Sequence, residues 1–122
     1  MALALRPIEA ADVPEAGRIC HDAFKAIATE HNYPPDFPNP EIAIGLLSEL
    51  SVDPGFYGIV AEADGRIVGS NFLDERSPIA GLGPITVDPT VQNQGVGTAL
   101  MTLMTVGLYN EPQGAYLPSI LF

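Results

Sequence analysis

Pro84-Ile85-Thr86-Val87-Asp88-Pro89-Thr90-Val91-Gln92-Asn93-Gln94-Gly95-Val96-Gly97-Thr98-Ala99-Leu100 decides the reading of this chain. The stretch runs from a short apolar strand, through a polar loop and a glycine turn, into the start of a helix. Successive backbone N–H groups in such a turn can converge into an anion nest. The helix N-terminus behind them adds partial positive charge and free donors. Glycine at 95 and 97 lets an anion approach the backbone without meeting a Cβ. Two other phosphate-binding patterns do not fit. No Gly-Lys-Ser/Thr is present, which excludes a P-loop. The Rossmann spacing needs glycine at position 100, where Leu stands, and a βαβ unit opening the fold.

Just upstream, 81–87 (Gly-Leu-Gly-Pro-Ile-Thr-Val) reads as a strand. Pro84 has no N–H for a ladder, so a bulge or an edge is expected there. Before it, 56–63 and 66–74 flank Asp64-Gly65, the strongest short hairpin signal. Alternation puts Ile59, Ala61, Val68 and Phe72 on one face of this hairpin, and Val60, Ile67 and Leu73 on the other. A sheet apolar on both faces is covered on both faces. Asp12 with Glu15 reads as a capping box opening a helix over 13–30. Its apolar stripe is Ala16, Ile19, Cys20, Ala23, Phe24, Ile27 and Ala28. Its polar face holds Glu15, Arg18, Asp22, Lys25 and Glu30, with His21 exposed beside them. Residues 31–40 carry four prolines and form a loop, not helix interior. Asn39-Pro40-Glu41 then opens a second helix, with Ile42, Ala43, Leu46, Leu47 and Leu50 buried and Asp53-Pro54-Gly55 ending it. Residues 2–8 read as an opening strand. Ala99, Leu100, Leu103, Met104 and Leu108 line a third helix, and 109–122 read as a turn with a possible last strand. The order is βααβββα(β), an α/β or α+β sandwich forming one domain over 1–122.

The 122 residues are 47% hydrophobic, which supports a packed core. Five Lys and Arg against fifteen Asp and Glu give a net charge of −10, which excludes a globally basic nucleic-acid surface. All five cations lie at or before Arg76. An anion bound by the later half must therefore be held by backbone donors. A single cysteine, Cys20, excludes an internal disulfide framework. It sits on the apolar stripe and reads as a buried, inert thiol. No apolar stretch reaches the length of a membrane span, and the N-terminus lacks the order of a signal peptide. A cytoplasmic protein with no nucleic-acid or membrane partner is expected.

The run from Val87-Asp-Pro through Gln92-Asn-Gln-Gly95-Val-Gly97 to Leu100 resembles the acetyl-CoA-binding motif of the GNAT N-acetyltransferase superfamily, Gln/Arg-x-x-Gly-x-Gly/Ala after an apolar strand. The resemblance covers about residues 3–108. It implies a mixed, mostly antiparallel central sheet with helices on both faces. The further strand, helix and strands that close the family's fold after the third helix are missing here. It implies transfer of acetyl from acetyl-CoA (coenzyme A) to a primary amine of a small molecule or peptide. The alternative is a shortened, inactive CoA-binding or interaction domain of the same fold. The implied cofactor site is Ile85, Thr86 and Val87 for the pantetheine, with Gln92, Asn93, Gln94, Gly95, Val96, Gly97 and Thr98 for the pyrophosphate. Position 98, often basic in the family, is Thr.

Direct attack of an amine on a thioester needs a base, an oxyanion donor and an acid. A backbone N–H between Ile85 and Val87 is the natural oxyanion donor. Asp74 and Glu75 are candidate bases; their alternative is a solvated acidic turn paired with Arg76. His31 is another, with a helix C-terminal cation as its alternative. The family's acid is a tyrosine of the fourth helix, which implies Tyr116 here; a packed aromatic is the alternative. The family's loop between the first two helices borders the acceptor, which implies Tyr33 and Phe37 as substrate-binding residues; their alternative is a hydrophobic clip. The uncharged end 115–122 and a free strand edge predict a homodimer or higher assembly, against a monomer in which 115–121 folds back as a fifth strand.

Overall fold

The structure is a computed structural model, and it describes residues 3–34, 37–76, 81–82, 84–110 and 120–121. Strand β1 (Leu3–Pro7) opens the chain, and a 3-10 turn at Ala10–Asp12 leads into helix α1 (Val13–Glu30). Helix α2 (Pro40–Val52) follows, then strands β2 (Phe56–Ala63) and β3 (Arg66–Asp74). The strand expected over 81–87 is two short pieces, β4 (Gly81–Leu82) and β5 (Thr86–Val87). Both pair with β3: Leu73 with Leu82, and Ser70 with Thr86. The β3 side between those pairs is one residue shorter, so the strand bulges at the proline, as its missing donor requires. Helix α3 (Val96–Asn110) and strand β6 (Ile120–Leu121) complete the order. The sheet runs β4-β3-β2-β1-β6 with β5 also on β3, and every pairing among the described residues is antiparallel. The last strand lies beside β1, Leu121 opposite Ala4, at the far edge of the sheet from β5.

Helices cover both faces. One face packs Leu5, Ile59, Ala61 and Val68 against Val96, Ala99, Leu100 and Leu103 of α3. The other packs Val60, Ile67 and Phe72 against α1 and α2. Phe72 and Leu73 stand on the opposite faces from those that strict alternation assigns. The cause is a register shift between Ala61 and Glu62: Gly69 pairs with Ala61 but Ile67 with Glu62. A bulge adds one residue to β3 and inverts the side-chain parity beyond it.

The entry to α1 also departs from expectation. The Asp12 side chain does not cap α1. It accepts from the Glu9 N–H at 2.8 Å and takes both ends of the Arg6 guanidinium, at 2.6 and 2.8 Å. Arg6 hydrogen bonds hold this buried carboxyl below the usual range, against the upward push of burial. His21, expected in solvent, is buried with Nδ1 3.1 Å from Asp22. In α2, Asn39 caps Ile42 N–H as expected, but Ile42 is exposed, and Ile44 instead faces α1. A Cβ at Gly17 would lie 2.6 Å from the Ile44 Cα, so the two helices cross at glycine distance. Cys20 is buried, and burial pushes its thiol up to about 11, which keeps it protonated and inert. Among the described residues no helix is long and apolar enough to cross a membrane.

Candidate functional site

The glycine turn is built from the strand outward. Asp88 follows β5, its N–H donating to Val68 C=O at 2.8 Å. Its buried carboxylate caps the 3-10 turn Pro89–Val91, accepting from Thr90 N–H and Thr90 Oγ1, both at 2.9 Å. Arg66 reaches it at 3.0 Å and Arg18 at 3.9 Å. Burial pushes this carboxyl up, but the Thr90 N–H and the Arg66 guanidinium outweigh it and hold the group ionised. Asp88 therefore ties the loop to the hairpin through Arg66, while Arg18 of α1, close by, is hydrogen-bonded to Glu15 and Asp22. An Asp two residues before a Thr, just after a strand, is the capping signal the sequence contains.

Beyond Gln92 the backbone turns left-handed twice, at Asn93 (φ 68°) and Gly95 (φ 88°). Such alternation points successive N–H groups to one side. The first helical bond runs from Ala99 N–H to Gly95 C=O at 3.0 Å. The N–H groups of Val96, Gly97 and Thr98 precede it and have no intrahelical acceptor. A Cβ at Gly95 would meet nothing within 4 Å, and one at Gly97 would meet only Val87 Cγ2 at 3.7 Å, ordinary contact. Internal packing thus leaves the space above both glycines open. Gly69 is different: a Cβ there would sit 2.8 Å from Thr86 C=O and 3.2 Å from Val96 Cγ1. Glycine in β3 is what lets the start of α3 seat against the bulge.

This turn borders a cavity of about 440 Å³. Of the ten residues implied for the cofactor, the cavity collects Ile85, Thr86, Val87, Gln92, Asn93, Gly95, Val96, Gly97 and Thr98; Gln94 is exposed and does not line it. The remaining wall is Ala23, Phe24 and Ile27 of α1. The apolar stripe of α1 places these three in the core; Ala23 is buried there at 4% exposure and Phe24 packs against it, and only Ile27 departs. Ile27 is 53% exposed and lines the cavity. A periodic stripe does not distinguish those two environments. None of the described lining residues is ionisable.

Asp74, Glu75 and His31 are not among the residues that line the cavity. Asp74 takes Arg76 in a fork, Nε to Oδ1 at 2.9 Å and Nη2 to Oδ2 at 2.8 Å, and these bonds hold its carboxyl below the usual range. Arg76 also stacks 4.7 Å above the Phe56 ring. Glu75 is bound through its N–H to Gly55 C=O at 2.7 Å. Neither lines the cavity; Asp74 is four residues along β3 from Ser70, the partner of Thr86, which is about 13 Å of strand. His31 is exposed at the C-terminus of α1, its N–H on Ile27 C=O at 3.1 Å. Tyr33 is 72% exposed, whereas Phe37 packs edge-on against Phe24 with centroids 5.4 Å apart. Phe37 thus clips the proline-rich loop to the helix that walls the cavity. Tyr116 lies outside the described residues.

The model of the Acetyltransferase (GNAT) family matches residues 20–106. A GNAT family acetyltransferase from Brucella melitensis, solved with acetyl-CoA, shares 23% identity over 88% of this chain and 68% of its own, with a TM-score of 0.66. PaiA N-acetyltransferase from Thermoplasma acidophilum, solved with coenzyme A, shares 15% identity over 91% and 74%, TM-score 0.75. The ribosomal-protein-S18-alanine N-acetyltransferase of Escherichia coli shares 21% over 87% and 59%, TM-score 0.66. No curated protein matches the chain in sequence. The structural likenesses establish the fold, and the chain spans between 59% and 74% of the length of these three proteins. Sheet, bulge and glycine turn define an acetyltransferase-type domain. The chain belongs to the GNAT acetyltransferase family.

Proposed function

We propose that the protein transfers acetyl from acetyl-CoA to a primary amine of a small molecule or peptide. The observation that carries this reading is the glycine turn: free N–H groups of Val96, Gly97 and Thr98 opening on a cavity, with no Cβ in the way. These donors suit a pyrophosphate, in a protein whose Arg66 is already engaged by Asp88 and whose Arg18 is engaged by Glu15 and Asp22. The residues present fit the molecule, and acetyl-CoA supplies the activated acetyl group. As the C–N bond forms and the C–S bond breaks, the amine must lose a proton and the departing sulfur must gain one. A cytoplasmic location belongs to this reading.

The geometry favours solvent over Asp74 as the first proton acceptor, because Arg76 occupies both carboxylate oxygens. Asp74→Asn and Glu75→Gln are each expected to leave turnover within about twofold. Loss of roughly 100-fold in either, with acetyl-CoA binding intact, would return the base role to that carboxylate. The uncharged lining favours a second reading, an inactive acetyl-CoA-binding domain of the same fold. Release of free thiol in the presence of an amine panel separates the two. Homodimer or higher assembly remains part of the proposal, through the uncharged C-terminal end and a free strand edge. Light scattering at micromolar concentration should read twice the 12.9 kDa chain mass or more; a clean monomer mass would remove it.

A further inference from the structure

We propose that the Thr86 hydroxyl, backed by Ser70, is the side-chain donor that polarises the thioester carbonyl of bound acetyl-CoA. This deepens the acetyl-CoA reading above and rests on it. Thr86 and Ser70 stand opposite each other on β5 and β3, with their hydroxyl oxygens 3.4 Å apart. Thr86 is 5% exposed and Ser70 1%. The two hydroxyls carry two protons, and their mutual contact uses one. Neither side chain has another hydrogen-bond partner among the described residues. If Thr86 donated to Ser70, the Ser70 proton would be buried without an acceptor, which is costly. With Ser70 donating, the Thr86 proton is left to point into the cavity, which Thr86 lines.

The position within the cavity sets what that proton meets. The charged end of the ligand belongs at the glycine turn. Its uncharged arm then occupies the rest of the cavity, whose lining includes Thr86 and the α1 residues Ala23, Phe24 and Ile27. The other side-chain donors lining the cavity, Gln92, Asn93 and Thr98, are exposed and sit around the turn itself. Thr86 is the buried one. A fixed donor shielded from water is suited to the negative charge that gathers on the carbonyl oxygen as nitrogen attacks and sulfur leaves. Ser70 touches no ligand in this scheme and acts as a positioning residue.

Thr86→Val keeps the shape and removes the hydroxyl. It should lower kcat about 100-fold and leave the KM for acetyl-CoA little changed. Thr86→Ser should recover most of that loss, and Ser70→Ala should fall between. The infrared carbonyl stretch of carbon-13-labelled acetyl-CoA bound to the protein reads the same contact without turnover. It should lie at lower wavenumber on wild type than on Thr86→Val. An identical stretch on both proteins, or a wild-type kcat in Thr86→Val, would overturn the role of Thr86 while leaving the acetyl-CoA site standing. Failure of wild type to bind acetyl-CoA at all would overturn both.

Discussion

Gly95→Val is expected to abolish the thermal stabilisation that acetyl-CoA gives the wild-type protein. Two effects combine. Gly95 has φ 88°, a left-handed conformation that a β-branched side chain adopts only with strain of about 1–3 kcal/mol. The added side chain would also occupy space that is empty of protein within 4 Å and that the ligand's phosphates need. At a ligand concentration about 100 times Kd, binding to the native state alone adds about 2.7 kcal/mol of stability. An affinity loss of 100-fold or more reduces that gain to a few tenths of a kcal/mol. The strain lowers the melting temperature of the free protein whatever the ligand does. The informative quantity is therefore the difference with and without acetyl-CoA in each protein. Equal shifts in wild type and Gly95→Val would mean that the ligand does not use this turn.

Phe72→Ala is expected to cost about 3–5 kcal/mol of stability. The Phe72 ring is fully buried between the sheet and the α1–α2 pair. It lies over Gly58 of the neighbouring strand, close enough that a Cβ there would be 2.6 Å from Phe72 Cε1. The glycine and the ring are thus one packing unit, and truncation leaves a hole that the glycine backbone cannot fill. Against a total of roughly 5–15 kcal/mol for a domain of this size, the loss is a large share. It should appear as a fall in melting temperature of roughly 10–20 °C in calorimetry. A fall of only a degree or two would place Phe72 outside the core and with it the parity of β3. Gly58→Ala should be destabilising for the reciprocal reason, by overpacking against the same ring.

The parity of β3 illustrates where sequence reasoning stops. Both hairpin strands were legible from Asp64-Gly65, whose φ values of 53° and 81° are those of the turn expected between them. The limits of α1 followed from its 3.6-residue period, and the bulge at Pro84 from a missing donor. A second bulge, at Val68 and Gly69, carries no such signature, because two apolar residues in a row also fit a strand buried on both faces. Capping failed in a similar way. Asp12 has the spacing of a cap for α1, but Arg6, six residues earlier in the chain, recruits it. The glycine turn was legible because its chemistry is local: glycines, a preceding strand and a following helix. The part of Ala23, Phe24 and Ile27 in lining the cavity was not, because an apolar helix stripe does not separate a core face from a cavity wall. The same holds for Ser70, brought to Thr86 by strand pairing. For the acceptor and the proton transfers the chain offers no comparable local pattern, and Asp74, Glu75 and His31 are not among the residues that line the cavity.

Acetyl transfer itself is tested most directly by incubating the protein with acetyl-CoA and a panel of primary amines, small molecules and peptides with free N-termini, and following each amine by mass spectrometry. The account predicts protein-dependent N-acetylation of at least one acceptor, matched by an equal amount of released CoA and suppressed in Gly95→Val. Saturable binding of acetyl-CoA with no acetylated product from any acceptor would contradict it and leave a binding domain in its place.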